Sequence, residues 1–267
     1  MASNSMERQI IGMRQWLQTA PGAYALDWAQ RQADQAVADV FGYHAVQLGL
    51  PPLDGLRANR MPGRWLAALD ADEAGDAARL GRSAALVCDS GALPLESASI
   101  DLLLLPFTLD LSGDPHQTLR EVERVLVPEG RVLFIGMNPA SLWGLRQWRA
   151  HLYRRMGMGQ LYLPGEGQFI APWRLRDWLG LLEFEVDGNA FGCYRPSLRT
   201  AAWLQHYGWM DDLGARSWPI FGAVYAVMAT KRIRGMRLIG PAWKNKPTLG
   251  GKALPLARCE SRMHETR

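Results

Sequence analysis

Long hydrophobic runs are missing from this 267-residue chain. Its best apolar stretches, Ile100 to Phe107 and Val132 to Met137, are strand-sized, far short of the roughly 18 residues that cross a bilayer. The N-terminus holds only Ile10, Ile11 and Met13 beside Glu7, Arg8 and Arg14, which makes no apolar signal-peptide core, so the chain reads as cytoplasmic. Cysteine is scarce. Cys88, Cys193 and Cys259 lie far apart, which excludes a disulfide framework or a paired zinc-ligand spacing and favours buried structural thiols. The five histidines also lack ligand spacing, so no metal is expected. Internal repeats and low-complexity blocks are missing as well.

What is there suits one domain with elaborations: 48% hydrophobic and 21% charged residues can bury a full core. The net charge of +4 is unevenly placed. From Lys231 onward ten basic residues face only Glu260 and Glu265, a net of +8, which leaves −4 for the rest. That divides the chain into an N-terminal helical extension (1–41), a central domain (42–230) and a basic, flexible tail (231–267). Such a tail is usually a solvated extension, although it can also attract anionic partners.

Residues Arg8 to Leu17 and Gly22 to Phe41 read as helices. His44 to Leu50 is a short apolar run stopped by Pro51 and Pro52, the first core strand. Arg64 to Leu69, Ala84 to Cys88, Ile100 to Pro106 and Arg131 to Met137 follow as strands with apolar residues on both faces, which want cover on both sides. Leu119, Val122, Val125 and Leu126, after Pro115, mark an amphipathic crossover helix, and the strand that follows is placed for parallel pairing. Helices near Leu142 to Arg155, Pro172 to Leu182 and Leu198 to Leu213 alternate with strands starting at Phe184 and Ala223. The loop Gly157 to Gln168 is a candidate lid.

Three motifs carry chemistry. Val87-Cys88-Asp89-Ser90-Gly91-Ala92-Leu93-Pro94-Leu95, then Ser99-Ile100-Asp101-Leu102-Leu103, then Leu119 to Gly130 resemble, in order and spacing, the type 11 methyltransferases. The resemblance covers roughly Ala45 to Ala229. It implies a Rossmann-like α/β fold with a mostly parallel seven-stranded sheet, its last strand antiparallel, and helices on both faces. It also implies S-adenosylmethionine as cofactor. By that likeness Asp89 and Ser90 lie beside the adenine, Gly49 and Leu50 near the amino-acid end, and Asp70 at the ribose, with Asp72 as fallback. Pro106 also contacts the cofactor, and Phe107 stands where the substrate meets the methyl group. Independently of the resemblance, ligands of open parallel sheets sit beyond the carboxyl ends of strands, where Asp89, Gly49 and Pro106 fall. The bland alternatives are an Asp-Ser-Gly turn for Asp89 and a solvated loop for Asp70 to Arg82.

The chain departs from the family after its first strand. Gln47 stands where an acid is expected, only Gly49 remains of the glycine set, and Pro51 and Pro52 remove backbone donors. No general base is nominated. Asp110 and His116 are the nearest candidates, and His116 reads rather as a first-turn helix residue. The tryptophans of the C-terminal half read as core anchors, some of them able to line an apolar groove. Three functions remain: a methyltransferase acting on a small-molecule acceptor, a catalytically inactive binding protein on the same fold, and an RNA-binding or RNA-modifying protein that uses the tail.

Overall fold

The structure, a computed structural model, describes residues 12–154, 163–164, 168–196 and 201–232. Seven strands form one sheet in the order β3-β2-β1-β4-β5-β7-β6. They are β1 (His44–Leu48), β2 (Gly63–Ala68), β3 (Ala84–Val87), β4 (Ile100–Pro106), β5 (Leu126–Met137), β6 (Phe184–Gly192) and β7 (Val224–Lys231). The first five pair in parallel, whereas β7 runs antiparallel to both β5 and β6. The order reverses between β1 and β4, and this switch opens a crevice at the carboxyl ends of those strands. The mostly parallel Rossmann-like sheet expected from the sequence is therefore present.

The helices follow local signals. In α1 (Ala20–Val37), Thr19 accepts the Gly22 amide and Pro21 sits in the first turn, where its missing N–H costs nothing. Its stripe of Ala25, Trp28, Ala29, Ala33 and Val37 is buried at helical spacing. The helices α2 (Ala71–Arg79), α3 (Thr108–Leu111) and α4 (Pro115–Val125) come next. Asp114 caps α4, which buries Leu119, Val122 and Val125 on the sheet. Then come α5 (Leu142–Arg154), α6 (Pro172–Leu181), α7 (Ala201–His206) and α8 (Trp209–Ser217), and a 3-10 turn at Pro219–Phe221. Strand β4 is buried along nearly its whole length because it has neighbours on both sides and cover on both faces.

Several expectations need correction. β1 ends at Leu48, because Gly49 and Leu50 take left-handed φ of 80° and 52° and turn the chain out of the ladder. β5 begins at Leu126, directly off α4. β3 is not a doubly covered strand: it is the sheet's edge, with Val87 half exposed. The last helical region breaks at Tyr207 and Gly208 into α7 and α8. Most of the candidate lid, Cys259 and the basic tail beyond Arg232 lie outside the described residues, whereas Lys231 closes β7.

One connection lacks its helix. Residues 49–62 join β1 to β2 by turns alone. Gly55 lies so close to the sheet that a side chain there would meet Leu104 Cδ2 at 2.1 Å. Leu53 and Leu56 are buried beside it, so the loop lies directly on the strands where a helix would stand farther off.

Candidate functional site

The turn after β1 is held from inside. Gln47, wholly buried, donates through Nε2 to the carbonyls of Gly49, Leu50 and Leu53 at 3.0, 3.1 and 2.8 Å, and its Oε1 accepts the Gly55 amide at 3.0 Å. An acid at this position would face three carbonyl oxygens with no hydrogen to offer, which gives the physical reason for glutamine here. Arg82 donates to the Pro51 and Leu53 carbonyls and pairs with Asp54 at 3.2 Å. From α1, Gln30 makes a reciprocal pair with the Asp54 backbone at 2.8 and 3.0 Å. Pro51 is buried and Leu50 is only 5% exposed.

The amides of this turn are also committed. Gly49 N–H continues the ladder to Ala67 O at 2.7 Å, and Leu50 N–H donates to Glu73 Oε1 at 3.1 Å. The other Glu73 oxygen accepts Leu69 N–H at 2.9 Å, so one buried carboxylate ties the end of β2 to the turn after β1. Burial raises the Glu73 carboxyl above the usual carboxylate range, against the pull of the two amides. Leu69 and Glu73 side chains fill the space facing Gly49.

Asp70 lies where the ribose acid is expected, but it also caps α2. Its Oδ1 accepts the Glu73 amide at 2.6 Å and stands 3.8 Å from Arg14, whose Nε meets Asp76 at 3.0 Å. Asp72 is exposed in the first turn. Arg14 belongs to the helical residues 12–17, in which Trp16 packs edge-on against Trp143 with ring centroids 6.1 Å apart. Asp70 follows β2 and Trp143 follows β5, so this segment passes across the carboxyl ends of β1 and β4 and roofs the crevice. The Trp16 indole Nε1 is buried without a hydrogen-bond partner among the described residues.

On the far wall Pro106 ends β4, and Phe107, at φ 57°, is fully buried with its N–H on Ile135 O. The Phe107 ring therefore lines the core and not an open surface. Thr108 Oγ1 donates to Leu48 O at 2.7 Å and stitches β4 to β1 at the switch. Asp110 accepts Met137 N–H at 2.8 Å and Ile170 N–H at 3.2 Å, which anchors 168–170 to the end of β5. Burial pushes the Asp110 carboxyl up to about 7, with the two amides opposing. His116 sits in the first turn of α4 with its ring 4.1 Å from that of Trp178.

The turn after β3 is built the opposite way. Asp89 is exposed and accepts the Gly91 amide at 2.9 Å, the Asx turn that its sequence suggests. Ser90 points inward to Thr118 at 3.2 Å and is buried. The turn is gripped from behind by α4. Glu121 accepts Leu93 N–H at 2.9 Å, Arg124 donates to the Leu93 and Leu95 carbonyls at 2.8 Å each, and Glu121 and Arg124 pair at 2.8 Å. Gln117 donates to Gly91 O at 2.9 Å.

The structure thus brings Gly49, Leu50 and Asp70 together at one end of the crevice, sets Pro106 and Phe107 on its far wall, and leaves the Asp89 carboxylate facing outward. Sequence reasoning missed Glu73, Arg82, Thr108 and Arg14. For Glu73 a signal existed: Asp70-Ala71-Asp72-Glu73 has the spacing of a capping box, an acid at N-cap with an acid three residues on. The others act across long sequence separations and leave no local trace.

A family model described as "Methyltransferase domain" matches residues 62–134. The match starts at the last residue of the loop between β1 and β2 and takes in the turn after β3. An uncharacterized protein of Escherichia coli (strain K12), YafS, is 32% identical over 158 residues, 59% of this chain and 59% of the relative, so the chain spans about three-fifths of that relative's length. Among solved structures, a S-adenosylmethionine-dependent methyltransferase of Thermotoga maritima superposes with a TM-score of 0.56 at 16% identity, covering 82% of this chain and 94% of the other. The [4+2]-cyclase SpnF superposes at 0.53 and 16% identity, covering 78% and 81%. The chain has the fold of the class I S-adenosylmethionine-dependent methyltransferase superfamily, with a type 11-like segment between β2 and β5. That fold serves more than one reaction, as the cyclase illustrates.

Proposed function

We propose that this chain is a S-adenosylmethionine-dependent methyltransferase acting on a small acceptor. The adenosyl part of the cofactor would rest on the turn after β3. The observation that carries this reading is the Asp89 turn: an exposed carboxylate at the end of a parallel strand, on a backbone fixed by Glu121 and Arg124. Such a carboxylate can accept from an exocyclic amine. The residues fit the group unevenly. The adenosyl end would meet a braced turn with an exposed acceptor, whereas the amino-acid end would meet a turn whose amides are already engaged by Ala67 and Glu73. When bound, the cofactor supplies a methyl group on an already reactive sulfonium, so the chain need only hold the two reactants in line and keep water out.

Calorimetric titration with S-adenosylhomocysteine tests the reading. Binding is expected, weakened about tenfold in Asp89→Ala, the loss of one hydrogen bond to a charged group. No heat at millimolar ligand would overturn it. That outcome would favour the second reading, a catalytically inactive binding protein, which draws its support from the engaged amides of the turn after β1 and from the roof of residues 12–17. The third reading, nucleic-acid binding through the tail, fails if deleting the residues after Lys231 leaves nucleic-acid retention unchanged at low salt.

A further inference from the structure

Beyond β5 the surface turns apolar where the sequence led us to expect buried tryptophans. Two open clefts of about 570 and 430 Å³ adjoin there and share Leu142 and Phe221 as a common wall. Leu145 and Trp148 line the first, Trp209 and Trp218 the second. All six side chains are half or more exposed, with Trp148 at 65%. Soluble monomers rarely leave such a contiguous aromatic and aliphatic face to water without a use for it.

The helix α5 is built for an interface. Leu142, Leu145 and Trp148 recur at i, i+3 and i+6 on its outer side, whereas Trp143 and Gln147 point into the protein and are buried. Charge is one-sided. The helix itself, Leu142–Arg154, carries three arginines and no Asp or Glu. Arg149 is exposed on the helix that carries Trp148, and Arg216 is exposed on α8. Of the acids near the second cleft, Asp211 is engaged by Arg195 at 2.9 Å, and Asp212 is the exposed exception.

We propose that this face docks on a lipid surface bearing anionic headgroups. The indoles and leucines would lie at the headgroup and acyl boundary, and the exposed Arg149 and Arg216 would meet the phosphates. A second copy of the chain fits less well. A twofold pairing through this patch would set its arginine-bearing, acid-poor helix against its own copy. The proposal does not depend on methyl transfer, because it uses none of the crevice residues.

The test is co-sedimentation of the full chain with vesicles of phosphatidylcholine alone or mixed with phosphatidylglycerol. Wild-type protein should pellet with the mixed vesicles, lose most of that retention in high salt, and stay in solution with phosphatidylcholine alone. The basic tail also favours anionic vesicles, so the decisive comparison keeps the tail intact. The double variant Leu145→Ser and Trp148→Ser should lower partitioning by about tenfold or more, because two apolar anchors are lost. Both side chains are solvent-exposed, so an unchanged far-ultraviolet circular dichroism spectrum is expected and verifies the fold. Arg149→Glu should weaken retention about fivefold, close to one basic contact. Equal retention of wild type and double variant would assign binding to the tail and overturn the proposal. So would a concentration-dependent dimer, abolished by the same variant, with no vesicle retention.

Discussion

The turn after β1 and the turn after β3 stand at the same carboxyl edge of one sheet and are stabilised in opposite senses. After β3, side chains of α4 grip the backbone from behind and leave the Asp89 carboxylate exposed. After β1, Gln47, Arg82, Gln30 and Glu73 turn the backbone groups inward, and the helix that would normally follow is replaced by a loop lying on Leu104. A sheet with a switch in strand order thus builds the turn after β3 separately from the turn after β1.

The contrast breaks most sharply at Gln47. Gln47→Glu places a carboxylate against three carbonyl oxygens in a buried site, with an expected loss on the order of 3–5 kcal/mol. Chemical denaturation measures it. The loss should be smaller at pH 5 than at pH 8, because a protonated glutamic acid keeps one donor. An unchanged midpoint would mean that the turn does not depend on inward carbonyls.

Asp110 probes the junction between α3 and the end of β5. Its carboxyl is pushed up to about 7 in the folded chain, against about 3.9 when unfolded, so between those values the folded state holds a proton that the unfolded state has lost. Its contribution to stability is fully present below pH 4, falls as pH rises, and is gone above 7. The slope approaches about 1.4 kcal/mol per pH unit at its steepest. Asp110→Asn should remove that slope from a denaturation series over pH 4 to 8, and a slope that survives the substitution would exclude Asp110 as its source.

The smallest expected effect on stability lies on the other turn. Arg124→Ala removes two hydrogen bonds to the Leu93 and Leu95 carbonyls and the pair with Glu121, all partly in solvent, for about 1 kcal/mol. Its effect on S-adenosylhomocysteine affinity should be larger, about tenfold, because the turn loses its fixed shape. Equal small effects on both would show that α4 does not position the turn.

Much of this molecule is readable along the chain. The span of β4 follows from its apolar run alone, and α4 follows from Asp114, Pro115 and the spacing of Leu119, Val122 and Val125. The Asx turn at Asp89 is a local consequence of Asp-Ser-Gly, and the oddness of Gln47 and Pro51 is plain from their neighbours. The edge position of β3 is not readable, because Ala84 to Val87 is as apolar as a central strand and only the strand order exposes it. The burial of Glu73 is a similar case, although its place in a capping box is legible. Its sequence context looks solvated, yet the approach of Leu50 buries it.

What the sequence decides by itself is therefore whatever rests on neighbours a few residues away: periodicity, caps, turns and the breaks made by proline and glycine. Only the tertiary structure decides which hydrogen-bonding groups remain for a ligand, and which tryptophans face water. Those outcomes depend on partners dozens of residues distant, as with Thr108 on Leu48 or Arg14 beside Asp76, brought together by the packing of the sheet.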